Sequence, residues 1–269
     1  MNISISTGTF YQIPFPKALL LIKNAGFEYI ELLAYWHGGD GWKIAQNIKD
    51  VNPREVLKIV KESGLKISTL HDGGGVIDDK TESVIAKSTY EYLEYGAPDI
   101  PCVIFHTPHK KTTDKHWWDT YQFKAGNDLK ALKDKVIVCI ENMLRFDGYI
   151  IPLLNPVDLM NFANDNSIFV NIDTTHYAQS GVDITEAAKI LKNRVRTIHL
   201  SDYIDSKAHV FPGEGLLDFK SFMNELNKPA IHSLTIECDI KCDEKNTAGT
   251  IERLKCAYNY ANDISKLCI

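Results

Sequence analysis

The chain has 269 residues, 44% of them hydrophobic and 24% charged, with a formal net charge of -5. That balance excludes an intrinsically disordered chain and offers no global basic surface for nucleic acid, and no stretch approaches the roughly 20 apolar residues of a membrane span. The length suits one large domain over residues 1–269, for which an α/β barrel of roughly 250 residues is the commonest solution.

The first residues, MNISISTGTF, enter strand-like sequence at once, without the basic and apolar regions of a secretory signal. Strands are expected near residues 2–6, 28–33, 66–71, 102–106, 136–141, 168–173, 195–200 and 232–237. Helical patterns fall between them. FPKALLLIKNAGF opens with Pro16 and closes on Gly26, and NPREVLKIVKESGLK repeats that design with Pro53 and Gly64. Further helices are expected at TESVIAKSTYEYLEYG, DTYQFKAGNDLKALKD, NPVDLMNFANDN, DITEAAKILKN, DFKSFMNELNK and TAGTIERLKCAYNYANDISKL. Eight strands each followed by a helix is the count of a single (β/α)8 TIM barrel; an open doubly wound sheet would show a glycine-rich phosphate loop after an early strand. The glycine clusters at Gly38–Gly41 and Gly73–Gly75 do not make GxGxxG and read as loops over the barrel mouth, or simply as turns. The cysteines (Cys102, Cys139, Cys238, Cys242, Cys256, Cys268) include no CxxC pair, and three fall in apparent strands, which fits a reduced, cytoplasmic setting.

Six of the expected strands end on metal-ligand residue types: His71, His106, Glu141, Asp173, His199 and Glu237. Side chains at the carboxyl ends of barrel strands converge on one mouth, so residues far apart in sequence meet there. Any one of these histidines alone reads as a packed core residue; six coincident strand ends do not. Glu141, Asp173, His199 and Glu237 form an oxygen-rich set for one divalent ion, Mn²⁺, Mg²⁺, Co²⁺ or Zn²⁺, since no thiolate selects zinc. A second ion between His71, His106 and a shared Glu141 is the alternative to substrate hydrogen bonding or support of the first metal by these histidines. His176 in DTTH and His209 in KAHVFPGEG extend the set, whereas His37, His109, His116 and His232 receive no role. Trp36 at the end of YIELLAYW offers an aromatic wall for a sugar face, and Arg145 in ENMLRFD either grips a substrate oxygen or pairs with Glu141 or Asp147. Lys110 and Lys111 read as a solvated loop before a phosphate contact. No GxSxG elbow and no P-loop competes with this set.

The E-N at Glu141, D-T-T-H at Asp173 to His176, H-L-S-D at His199 to Asp202, H-V-F-P-G-E-G at His209 to Gly215 and I-E-C around Glu237 resemble the xylose-isomerase-like TIM barrels. That superfamily includes sugar isomerases and epimerases and the endonuclease-IV-like apurinic-site nucleases. The E-N-M-L-R-F-D segment is similar to the ketose 3-epimerases. By that resemblance Glu141, Asp173, His199 and Glu237 hold one metal, Glu141 and Glu237 also move protons and His176 contacts the substrate, joining Trp36, His71, His106, Arg145 and His209 as candidate substrate-binding residues. The resemblance departs at Asp205, where those epimerases carry an arginine. The nuclease pattern is similar at eight of its nine zinc ligands and has an aspartate where this chain has Lys207, a cation that repels a third ion. What the resemblance implies is a metal-dependent isomerase or epimerase of a sugar, sugar phosphate or sugar acid, soluble, free of nucleic acid and compatible with a homo-oligomer. The alternatives are a phosphodiesterase acting on abasic DNA and a non-catalytic metal- or sugar-binding barrel.

Overall fold

The computed structural model describes residues 1–11, 13–36, 52–78, 81–240 and 246–267, with Tyr35 and Trp36 described in their backbone only. Eight strands close into a parallel barrel: β1 (Asn2–Ser6), β2 (Tyr29–Trp36), β3 (Lys66–Gly73), β4 (Cys102–His106), β5 (Ile137–Glu141), β6 (Phe169–Asp173), β7 (Val195–Leu200) and β8 (Ser233–Ile236). Each strand pairs with its neighbour in sequence, and β8 returns to β1 through the register Asn2 to Ser233 and Ile5 to Ile236. The barrel predicted from the strand count is therefore the fold.

The helices form for local reasons that the sequence displays. Helix α1 (Phe15–Asn24) buries Ala18, Leu19 and Ile22 against the sheet. Helix α2 (Pro53–Ser63) starts at Asn52, whose side chain accepts the Arg54 N–H at 2.9 Å, carries Pro53 in its first turn and ends at a left-handed Gly64. The helix expected from Thr81 begins only at Lys87, because Ser83, Val84 and Ala86 instead use their polar groups on Asp128 and Asp72. No described helix is long and apolar enough to cross a membrane.

Alternation along the strands separates two interiors. Val103, Phe105, Val138 and Ile140 belong to the large core between sheet and helices, while Cys102, Ile104 and Cys139 form a separate cluster with Ile137 and Phe169 inside the barrel. Elsewhere that lumen is polar: the Ser4 hydroxyl lies 3.0 Å from Ser233 and 2.8 Å from Thr235. Asn171 is wholly buried there with neither amide atom hydrogen-bonded. This differs from the layers of branched apolar residues that usually fill such barrels. Cys238 lies two residues past β8 and is buried.

Candidate metal centre

The last residues of β5 and β6, the penultimate residue of β7 and the residue after β8 bring Glu141, Asp173, His199 and Glu237 together, with one ligand atom from each lying within 4.8 Å of the others. Local motifs explain how they are placed. In the E-N pair, the Asn142 side chain donates to the Asp173 carbonyl at 3.0 Å and accepts the Asp173 N–H at 2.8 Å, which ties the end of β5 to the end of β6. Asp173 then caps a short helix, α3 (Thr174–Gln179), with one oxygen accepting from the His176 N–H at 2.7 Å and the Thr175 hydroxyl at 3.0 Å. Its other oxygen, Oδ2, remains turned toward His199, 4.0 Å from Nδ1. His176 is fixed by its Nδ1, which donates to the Asn142 carbonyl at 2.9 Å.

The H-L-S-D and H-V-F-P-G-E-G motifs form one unit. Asp202 accepts the backbone N–H groups of Tyr203, Gly213, Gly215 and Leu217 at 2.8–3.1 Å. Gly215 is obligatory there, because a Cβ would stand 2.2 Å from Asp202 Oδ1. Between the motifs, Asp202–Ile204 and Lys207–Val210 make a hairpin whose turn, Asp205–Ser206, has both φ angles positive. That turn accounts for Asp205, which is exposed. The register slips by one residue before Val210, and His209 takes a left-handed φ of 52°, a conformation that costs a residue with a Cβ. The bulge lets His209 Nδ1 donate to the Glu237 carbonyl at 3.0 Å and sets its ring edge-to-face with His176 at 5.4 Å. Asp173, His176 and His209 are close enough to form a further ligand group.

A second sector comes from β2, β3 and β4. His106 Nδ1 donates to the Gly74 carbonyl at 2.7 Å, so the neutral ring presents Nε2 as an acceptor, and His71 Nε2 lies 3.0 Å from it. Gly73–Gly75 is a built turn at this point: Gly75 has φ +118°, and a Cβ on it would meet His106 Cβ at 2.8 Å. Glu31, wholly buried on β2, faces His199 Nε2 at 2.9 Å, the Thr69 hydroxyl at 2.9 Å and His71 Nδ1 at 3.5 Å. The strand-end rule passes over Glu31 because it lies third in β2, five residues before the strand's end. Its signal was the lone carboxylate inside the apolar run YIELLAYW.

Several buried atoms of the four-residue set fit a cation and little else. Glu141 Oε1 and Oε2, Asp173 Oδ2 and His199 Nδ1 are buried without a hydrogen-bond partner. Yet His199 Nδ1 stands 2.7 Å from Glu237 Oε2 and 3.3 Å from Glu141 Oε2, short separations that lack hydrogen-bond alignment. Groups that crowd without bonding one another point at a shared centre, and ligands about 2.0–2.2 Å from one ion are themselves about 3 Å apart. His71 Nε2 and His106 Nε2 lie 3.5 and 4.0 Å from Glu141 Oε2, so a second, adjacent group exists.

The charges agree with this grouping. Burial would raise the Glu141 carboxyl, but His199 and His176 outweigh it and hold Glu141 well below the usual carboxylate range. Glu237 is lowered against its burial by His199 and His71, and Glu31 by His199 and His71. Burial opposes a charged His199, but Glu237, Glu31 and Glu141 raise it well above the ordinary value. His106 is the exception: burial pushes it down to about 3, and it is neutral. Arg145 is not drawn in. It is exposed, its backbone N–H donates to Ser180 Oγ, and no ion pair joins it to Glu141 or Asp147 among the described residues. Trp36 ends β2 at this rim, its side chain outside the described residues, as is Gly38–Gly41. Lys110–Lys111 pairs antiparallel with Tyr149–Ile150, and His109, given no role from sequence, is buried beside Phe146 and Tyr149.

The family model described as xylose isomerase-like TIM barrel matches residues 19–260. Among solved structures, 3-keto-D-glucoside 4-epimerase YcjR from E. coli is similar, with a TM-score of 0.68 and 16% identity over 96% of this chain and 99% of that one. A D-psicose 3-epimerase crystallised in the presence of D-fructose gives a TM-score of 0.67 and 15% identity over 99% and 98%. The IOLI protein with a bound zinc atom gives 0.64 and 16% over 98% of both chains. At these identities the likeness establishes the fold. No curated protein sequence matches the chain.

Proposed function

Because the chain belongs to the xylose isomerase-like TIM barrel family, we propose that residues 1–269 form one barrel domain that isomerises or epimerises a sugar, sugar phosphate or sugar acid. The observation that carries this reading is the convergence of Glu141, Asp173, His199 and Glu237 with buried atoms that satisfy no partner in the protein. A divalent ion held by these four would supply Lewis acidity, which would acidify a C–H beside a substrate carbonyl. The protein's own part is proton transfer. Glu141 and Glu237 stand on either side of the substrate carbon as carboxylates, one removing the proton and the other returning it through an enediolate. The histidines near Glu141 and Glu237 keep both carboxylates ionised in the metal-free site, in the state a base requires. His71, His106, His176 and His209 line the substrate cavity, with Trp36 and Arg145 at its rim. The two epimerases among the similar structures support the sugar class.

The test is metal analysis of the purified protein together with solvent deuterium exchange over ketoses, aldoses and keto acids. One ion per chain and exchange into a sugar carbon support the reading; an absence of exchange with every carbonyl compound sinks it. A second reading rests on the approach of His71 and His106 to Glu141, which is the arrangement of a two-metal phosphodiesterase. It takes first place if two ions bind and abasic DNA is cleaved. Ions bound with neither activity point to a non-catalytic barrel.

A further inference from the structure

Glu31 is a wholly buried carboxylate that the proton-transfer scheme does not use. Its Oε2 is aimed at His199 Nε2, at 2.9 Å, and is held in that position by the Thr69 hydroxyl at 2.9 Å. An imidazole has two nitrogens, and a ring that ligates an ion with one must carry its proton on the other. Nδ1 of His199 faces Glu237, Glu141 and Asp173, at 2.7, 3.3 and 4.0 Å. We propose that Glu31 is a positioning residue for the proposed metal: it accepts the Nε2 proton of His199 and thereby leaves the Nδ1 lone pair directed at the ion. This deepens the metal reading given above and rests on it.

The geometry separates this role from that of a ligand. Glu31, His71, His199 and Glu237 also lie within ligand distance of one another. Within that group the His199 nitrogen nearest Glu31 is Nε2, at 2.9 Å and aligned as a hydrogen-bond donor. The Glu31 oxygen nearest His199 already accepts from a hydroxyl and an N–H, which is the pattern of an anchored acceptor. Its other oxygen, Oε1, has no hydrogen-bond partner and faces His71 Nδ1 at 3.5 Å, a charge-to-ring contact that braces the carboxylate from the other side. A carboxylate behind a ligating histidine fixes the ring's tautomer and orientation and raises its basicity, and its removal commonly costs about 10–100-fold in metal affinity.

Zinc titration calorimetry on the metal-stripped full chain tests this with Glu31→Ala, Glu31→Gln and Thr69→Val. Glu31→Ala is expected to weaken zinc binding about 10–100-fold at unchanged stoichiometry. Glu31→Gln, which retains an acceptor oxygen, restores most of that loss, and Thr69→Val produces the smallest one. A purely structural role would not give this rescue. The spectroscopic companion is the His199 Nε2–H signal in ¹⁵N-histidine-labelled protein, expected to be exchange-protected in the parent and in Glu31→Gln and lost in Glu31→Ala. If Glu31→Ala does not fold, Glu31→Gln and Thr69→Val carry the test through graded loss of affinity and protection. Unchanged zinc affinity with an unchanged Nε2–H signal in Glu31→Ala overturns the inference, as does loss of one whole ion per chain, which would make Glu31 a ligand. Should the parent chain take up no zinc, manganese or cobalt, the metal reading fails by itself. The Nε2–H signal of the metal-free proteins then decides whether Glu31 orients His199.

Discussion

The two halves of the barrel mouth carry similar residues and arrange them differently. On the β5–β8 side, Glu141, Asp173, His199 and Glu237 crowd within 4.8 Å while four of their buried atoms bond to nothing. On the β2–β4 side most polar atoms have found each other: His106 is engaged through both ring nitrogens, His71 through Nε2, and Glu31 Oε2 through two donors. Buried polar groups without partners cost about 1–3 kcal/mol each, so an occupant that satisfied these four atoms would add stability. Residue type alone therefore does not assign a role. On the proposed reading the first sector would receive a cation, and the second, through Glu31, would orient one of its ligands.

The sharpest way to break this contrast is Glu237→Gln. If Glu237 carries a proton as well as helping to hold the ion, exchange of the substrate's carbon-bound proton with solvent should fall by about 10²–10⁴-fold. A variant with full metal and undiminished exchange, once a sugar substrate is in hand, removes Glu237 from the mechanism.

Next in size is the difference between Asp173→Asn and His106→Ala in metal binding. Asparagine preserves the cap on α3 but lacks the charge of Oδ2, so Asp173→Asn should lose most of its affinity for the ion. His106→Ala should keep one ion bound with only modest weakening, because this histidine works through His71. If His106→Ala instead loses one of two ions, the supporting sector is itself a metal site.

The structure explains why one sector was legible in the sequence and the other only in part. All eight strands announced themselves as apolar runs between helix caps, and five of the site residues lie at or next to the last residue of a strand. Glu31 hid because β2 runs on to Trp36, beyond the six residues that the apolar pattern suggested, so its carboxylate lies deep in the barrel wall. The bulge at His209 and the six-residue α3 were invisible for another reason: both are too short for a hydrophobic period to repeat over several turns, and hydrogen bonds donated to the Glu237 carbonyl and the Asp173 carboxylate fix them. Asn142 belonged to a quoted motif, yet its role as a clamp between strands follows only from the pairing of β5 with β6. Asn142→Ala should orphan two backbone groups of Asp173 and destabilise the fold by about 1–3 kcal/mol for each, measurable by urea unfolding in the metal-free protein. A cost within error of zero would mean that the ligand sector is placed by its strands alone.

The smallest expected effect is a pH dependence that distinguishes charge from packing in the ligand sector of the metal-stripped protein. Burial lowers His176, but Asp173 and Glu141 outweigh it and raise its pKa from 6.5 to about 9. A group raised in the folded state contributes stability that is fully present below its unfolded pKa and lost as pH rises through the folded value. In excess chelator, the urea midpoint should therefore decline between pH 6.5 and about 9. His71 and His199, also raised, add to the same slope. Glu141 and Glu237 act with the opposite sign: their lowered pKa values contribute stability above the ordinary carboxylate range and lose it in acid. Saturating zinc should flatten the alkaline decline, because the ion replaces the protons that held the carboxylates together. A midpoint that stays level through pH 9 without metal would show that these histidines are packed neutral and that His176 owes its position to the Asn142 carbonyl rather than to Asp173 and Glu141.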